Sequence, residues 1–385
     1  KRSSKWIVKH GQECLQEDGM DSYSPEVGTP INQLDTPCLL IDLAALENNF
    51  QTVSRQYDNQ VCKMRQHAKN IKSAVVARKQ INTGGTVGGV CCAKVSEAEV
   101  MVDGGVNDVL ITNQIVTTDK IRRMCDLAAK ADVKVAVDNP INLQELSSVA
   151  TMAGVNIGVV IEVDTSMGRA GVRNPEEGIE LAKLASNLPG LVFRGVMSHQ
   201  TLGSGEHDKR SRENIGKRYI QVCLDVKNAI EACGIPVEIV SSGETFTYDI
   251  ATAIPGVTEV QGGTYALMAH GHAMAGVFET AGKILASVMS ITNSGEAVVD
   301  VGYRALTSPS RLPAIIGSQD MFVDRMEEYH LMVKSKSNMS LVPGDKLLLE
   351  PAVQDIMANR WDNFIVVRND KVEAIWGIDA RGCVQ

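Results

Sequence analysis

Between residues 37 and 265 short apolar runs alternate with amphipathic stretches, and this alternation constrains the fold more than any other feature of the chain. The apolar runs are Thr36–Asp42, Gly88–Cys92, Asp108–Asn113, Val133–Asp138, Gly158–Asp164, Leu191–Met197, Pro236–Ser241 and Glu259–Gln261, with Ala266–Met268 placed at the same end. The stretches between them carry helical periodicity: Leu43–Arg55, Val95–Asp103, Thr118–Ala129, Pro140–Ala153, Pro175–Ala185 and Arg210–Cys233. The acidic first turn of Pro175–Ala185 suits the positive end of a helix dipole. Repeated strand–helix units with short, fully apolar strands give a parallel sheet covered by helices. About eight strands in this span fit a closed (β/α)8 barrel, the TIM barrel of α/β proteins, better than an open doubly wound sheet. The absence of a G-x-G-x-x-G turn after the first strand also weighs against a dinucleotide-binding fold.

After about residue 275 the pattern changes. Ala286–Ile291, Ala297–Val301, Lys346–Glu350 and Phe364–Arg368 read as strands with no long helix between them. Lys371–Trp376 reads as the return strand of a hairpin across Asn369-Asp370. A chain of 385 residues is long for one core. The expected division is a barrel over residues 36–275, a C-terminal mostly-β domain over 276–385, and an N-terminal extension over 1–35 that packs on the β domain.

The formal net charge of −8 argues against nucleic acid or an anionic membrane as a partner. No apolar run is long enough to span a bilayer. The basic start, Lys1-Arg2-Ser3-Ser4-Lys5, is not followed by a signal-type apolar core. Nine scattered cysteines without a C-x-x-C pair indicate neither a zinc cluster nor a disulfide framework, so a reducing cytoplasm is expected.

A barrel carries its reactive groups at the C-terminal ends of its strands. Those ends offer Lys69, Lys94, Asn113 with Gln114, Asp138, Asp164 with Arg169, His199 with Gln200, Ser241-Ser242-Gly243 and Gln261–Tyr265. Lys69 lies in the basic run Arg65–Ser73, which also reads as an ordinary solvated helix start. At a strand end, desolvation and a neighbouring cation make such a lysine a usable nucleophile. Gly243 and Gly262-Gly263 allow backbone N–H groups to approach an anion, and Ser242, Thr245 and Thr264 carry hydroxyls. The same glycines also serve as plain turn residues.

The ordered set of motifs is more specific. Asp35-Thr36-Pro37-Cys38-Leu39, Arg65-x-His67-Ala68-Lys69-x-x-Lys72-Ser73, Val90–Glu99, Ile111–Gln114, Glu162-Val163-Asp164 through Gly168-Arg169-Ala170-Gly171-Val172, Val240–Asp249, Gln261–Tyr265 and Ile378–Gly382 follow one another along the chain. Together they resemble the fold-type III pyridoxal-phosphate enzymes of the D-threonine aldolase, D-serine dehydratase and D-3-hydroxyaspartate aldolase group, whose barrel is alanine racemase-like. The resemblance implies pyridoxal 5'-phosphate as cofactor and Lys69 as its Schiff-base lysine. It implies His67 and Arg169 lining the cofactor, and Ser242, Gly243, Thr245, Gly263, Thr264 and Tyr265 around its phosphate. It also implies a small amino-acid substrate and a homodimer in which the β domain completes the partner's site.

The departures from the family pattern bear on the chemistry. The family's metal-binding Pro-Gly-His-Cys-Asp-Pro-Thr is here Pro351-Ala352-Val353-Gln354-Asp355-Ile356-Met357. Valine cannot ligate a metal and one carboxylate makes a poor site, so no metal is expected. Gln66 replaces a proline, and Ile71 replaces a histidine. Glu244 and Phe246 replace glycines, Ala269 an aspartate, His272 a tyrosine and His199 a barrel tyrosine. The histidines His199, His270 and His272 are candidates for the acid/base function, since an imidazole titrates near neutrality. They also read as structural or surface residues. A replacement metal site on His270 and His272 lacks a third ligand. The expected activity is cleavage or formation of the Cα–Cβ bond of a β-hydroxy or substituted α-amino acid, of D configuration by family likeness, without a metal. Dehydration, decarboxylation, transamination or racemisation are the alternatives at the same centre, and a non-catalytic cofactor carrier is a further one.

Overall fold

The structure is a computed structural model that describes residues 6–9, 12–15, 23–200, 208–270, 276–306 and 310–385. Strands β1 (Trp6–Lys9) and β2 (Gln12–Leu15) form a separate antiparallel pair. Strand β3 (Cys38–Asp42) leads directly into helix α1 (Leu43–Tyr57), whose first turn is capped by the Asp42 carboxylate accepting from Ala45 N at 3.2 Å.

Eight parallel strands then close the barrel. They are β4 (Lys63–His67), β5 (Thr86–Cys92), β6 (Asp108–Ile111), β7 (Asp132–Val137), β8 (Ile157–Glu162), β9 (Leu191–Ser198), β10 (Ile239–Ser242) and β11 (Glu259–Val260). Between them run α2 (Ala74–Thr83), α3 (Val95–Asp103), α4 (Thr118–Ala128), α5 (Pro140–Ala153), α6 (Pro175–Asn187), α7 (Lys209–Ala232) and the short α8 (Tyr248–Ala251). The four-residue α9 (Thr264–Leu267) follows β11. The closed barrel agrees with the alternation read from the sequence, but its first strand differs. Thr36–Asp42 was expected to open the barrel, whereas β3 pairs antiparallel with β12 (Gly282–Ile291) and parallel with β18 (Asn363–Arg368). Ala266–Met268 likewise belongs to a helical turn rather than a strand, with Met268 at φ +51° ending it.

Side chains alternate along each strand, so the barrel interior is built in layers two residues apart. The floor is ionic. Arg65 reaches Asp108 and Glu259 at 2.6 Å each, and Lys134 reaches Asp108 at 3.0 Å. Burial alone would raise the Asp108 carboxyl, but the Arg65 and Lys134 charges outweigh it and hold it below the usual range. Above the floor sits a small apolar layer of Cys91, Leu110, Ala136, Val160 and Met197, separate from the main core. Two residues further on, at the strand ends, come Thr112, Asp138, Glu162 and His199, with the His67 ring reaching Thr112. The apolar layer separates this mouth from the charged floor, so the polar chemistry has one open end.

The second domain holds β12, β13 (Ala297–Val299), β14 (Ala314–Ile315), β15 (Met321–Met326), β16 (Leu331–Ser335), β17 (Lys346–Glu350), β18 and β19 (Lys371–Gly377). With β3 inserted they form one nine-stranded sheet. The expected hairpin is present: β18 and β19 pair across Asn369 and Asp370, both at positive φ (51° and 58°), as a tight hairpin turn requires. Residues 28–31 add to its edge, with Gly28 N donating to Val372 O and Ile31 N to Asp370 O. None of the described helices is long and apolar enough to cross a membrane.

Candidate active site

Lys69 sits in a single 3-10 turn, Ala68–Asn70, directly after β4. It is half-buried, between buried Ala68 and buried Asn70. The turn is fixed from its start, because the His67 ring nitrogen Nδ1 accepts from Lys69 N at 3.4 Å and His67 N donates to Gly262 O at 2.8 Å. The far nitrogen of the His67 ring faces the Thr112 hydroxyl at 3.4 Å. Burial, followed by the charges of Lys69, His199 and Lys72, holds His67 well below the usual imidazole range. His199, just past the end of β9, is pushed down to about 4 by burial and by the charges of Lys69 and Arg169. Both imidazoles are therefore neutral at pH 7.

Glu162 ends β8 on the inward face and is 4% exposed. Its carboxylate accepts from Gln114 Nε2 at 2.6 Å and lies 3.8 Å from Arg169 Nη2. Burial raises its pKa; the Gln114 bond and the Arg169 charge oppose this, while Asp138 and Asp164 add to it. Arg169 itself is exposed on the loop after β8. Sequence reading placed Glu162 in a motif without giving it a part. Its signal was the two-residue step from inward-facing Val160.

Two turns lie side by side at the ends of the neighbouring strands β10 and β11. In the first, Gly243 has φ +118°, a conformation that L side chains rarely adopt. Glu244 and Thr247 then cap the next turn reciprocally, with Glu244 N donating to Thr247 Oγ1 at 2.9 Å. This capping accounts for a glutamate at a position read as a glycine position. Arg212 on α7 braces the turn from behind by donating to the Phe246 carbonyl and pairing with Asp249 at 3.1 Å. In the second turn, a Cβ at Gly263 would lie 1.8 Å from Asn70 Oδ1, so only glycine fits. Tyr265 N donates to Thr245 Oγ1 at 3.3 Å and ties the two turns together. The first N–H groups of such short turns have no acceptor within the turn, which suits them to an anion.

Two side chains point elsewhere than expected. The Ser242 hydroxyl is bonded to Ser198 Oγ at 2.7 Å, and the buried Cys223 thiol adjoins both. Tyr265 is fully buried between Phe50 and Phe278, its ring edge-on to Phe50 at 6.3 Å. Neither hydroxyl is directed at the cradle. Thr264 is half-buried at the first position of α9. His270 turns to the second domain: its ring meets Leu312 O at 3.0 Å and its N–H donates to Pro351 O at 3.1 Å. His272 lies outside the described residues. Lys94 is exposed at the start of α3.

An amine at a strand end, a two-turn anion cradle that excludes side chains, and neutral imidazoles at the same end of the barrel fit an aldehyde cofactor bearing a phosphate. Comparison with known proteins gives the family. Residues 41–271 match the model of the alanine racemase N-terminal domain. The chain belongs to this pyridoxal-phosphate-dependent family. Residues 281–367 of this alanine racemase-like protein match the putative serine dehydratase domain. It is 36% identical to 3-hydroxy-D-aspartate aldolase of Paracoccus denitrificans over 371 residues, 92% of this chain and 94% of the relative. It is 31% identical to D-threonine aldolase of an Arthrobacter species, over 92% of this chain and 95% of that one. The crystal structure of D-threonine aldolase from Filomicrobium marinum superposes with a TM-score of 0.89 at 33% identity, covering 94% of this chain and all of the other.

Proposed function

We propose that the protein is an aldolase that cleaves, and in reverse forms, the Cα–Cβ bond of a D-configured β-hydroxy-α-amino acid, with His199 as proton acceptor and without a divalent metal. The observation that carries this reading is that Lys69 and His199 both stand at strand ends of the barrel mouth, where burial and the lysine's charge lower the imidazole pKa, in a chain 36% identical to a 3-hydroxy-D-aspartate aldolase.

Pyridoxal phosphate, when bound, withdraws electrons from one bond to Cα of an attached amino acid. Lys69 supplies the amine that holds the cofactor and releases the product. The backbone N–H groups of Gly243, Gly263 and Thr264, with Ser242, Thr245 and Tyr265 shaping the turns, would hold the phosphate. Arg169, 3.8 Å from Glu162, and His67 would line the cofactor. Breaking Cα–Cβ turns the β-hydroxyl into a carbonyl, so its proton must go to a base. A neutral imidazole is ready to take it, and His199 stands where the family pattern has a tyrosine.

The metal-free part rests on the donor set. Val353 has no donor atom, and Asp355 Oδ1 is already engaged by Asn70 and Gln354. A cytoplasmic homodimer completes the reading, supported by the eight described cysteines all being free thiols and by the likeness over the β domain.

Incubation with D-threonine or D-3-hydroxyaspartate, with and without a chelator, tests the proposal. Equal release of glycine in both arms is expected. Loss of turnover on chelation would overturn the metal-free part. Reaction with L-isomers alone would overturn the stereochemical part.

A further inference from the structure

We propose that Asp355 is a positioning residue that locks the lysine turn to the phosphate cradle from the second domain. The proposal rests on the reading of Lys69 as the cofactor lysine and goes beyond it. Asp355 lies 285 residues from Asn70, yet its Oδ1 accepts a hydrogen bond from Asn70 Nδ2. Gln354 Nε2 donates to the same oxygen. Asn70 and Gln354 are each 1% exposed and Asp355 is half-buried, so the contact is partly shielded from solvent.

The chemistry of the pair fixes its orientation. A carboxylate only accepts, so the amide nitrogen of Asn70 must face Asp355 and its oxygen must face the other way. That oxygen fills the space where a Cβ at Gly263 would stand, 1.8 Å from the ideal position. Asn70 adjoins Lys69 in a three-residue turn, and Gly263 belongs to the cradle. One side chain therefore spaces the lysine from the cradle, and Asp355 sets how that side chain points. The segment before Asp355 is tied to the same end of the barrel, since Pro351 O accepts from His270 N at 3.1 Å. The stretch 351–355 thus laces two points of the mouth. In the family pattern it is the metal segment.

The test is cofactor affinity, read from the absorbance of protein freed of cofactor and titrated with pyridoxal phosphate. Asp355→Ala and Asn70→Ala are each expected to raise the dissociation constant about tenfold, the scale of one hydrogen bond to a charged group. The double variant should cost little more than either single one. Asp355→Asn, which keeps an acceptor oxygen, should fall between Asp355→Ala and the parent. The reversed pair, Asn70→Asp with Asp355→Asn, should recover much of the affinity. A thermal midpoint that falls while cofactor affinity stays unchanged would mean a purely structural role and would overturn the proposal, as would additive effects of the two single variants. Parent-like cofactor affinity with turnover that now depends on added divalent metal would overturn it in favour of a metal ligand. In parallel, Lys69→Ala reports on the underlying reading. If it still bonds the cofactor covalently, both readings fail. If it does not, and Asp355→Ala binds cofactor as the parent does, the positioning role alone fails.

Discussion

Lys69 carries the proposed chemistry, at a mouth that also holds Arg169, Glu162 and Asp138. His67 and His199 are kept neutral by burial and by the lysine itself. Lys69→Ala is expected to abolish turnover and the visible absorbance of lysine-bound cofactor while leaving the far-ultraviolet circular dichroism unchanged. His199→Ala is expected to lower kcat about 100-fold, the usual scale of a general base, with cofactor absorbance retained. His199 also makes a prediction for the cofactor-free protein. Its folded pKa of about 4 lies below the ordinary 6.5, so the unfolded chain binds more protons between those values. The stability this group contributes is present above pH 6.5 and is lost as the pH falls toward 4. Urea unfolding at a series of pH values should show this slope, and His199→Asn should reduce it. An unchanged slope would place the titration elsewhere. The position of Lys69 at a strand end was legible because its motif is local. The directions of Ser242 and Tyr265 were not, since Ser242 lies on the outward step of β10 and Tyr265 turns with α9 into an aromatic cluster.

At the scale of elements, the barrel was readable because a parallel strand buried on both faces leaves an unbroken apolar run. The partner of such a run is not written in it. Cys38–Asp42 has the burial of a barrel strand, yet its neighbours are β12 and β18, more than 230 residues away. The contact between Asn70 and Asp355 was equally unreadable, since nothing local signals a pair so far apart. The hairpin at Asn369-Asp370 was read correctly because its turn residues are adjacent. The two cradle turns make their own prediction. Gly263→Ala puts a methyl group against Asn70, and overpacking of this kind costs about 1–3 kcal/mol. Weakened cofactor binding and a lower thermal midpoint are expected together. A variant with parent-like binding would show that the cradle is looser than its packing indicates.

Across the whole molecule, a charged floor, an apolar middle and a polar mouth divide the barrel along its axis. The floor escaped the sequence reading because Arg65, Asp108, Lys134 and Glu259 come from four separate strands. Arg65→Met would leave Glu259 and Asp108 facing each other without their shared cation. Breaking a buried pair from one side typically costs about 3–5 kcal/mol, so a clear drop in the urea midpoint is expected, with parent-like KM in whatever protein remains folded. The mouth depends on both domains, because segment 351–355 reaches it through Pro351 and Asp355. The claim that joins these scales is carbon–carbon cleavage at a lysine-held cofactor with a neutral histidine as base. Product analysis after incubation with D-3-hydroxyaspartate tests it most directly. Glycine and glyoxylate in equal amounts are the predicted result; ammonia and oxaloacetate, the products of dehydration, would contradict it.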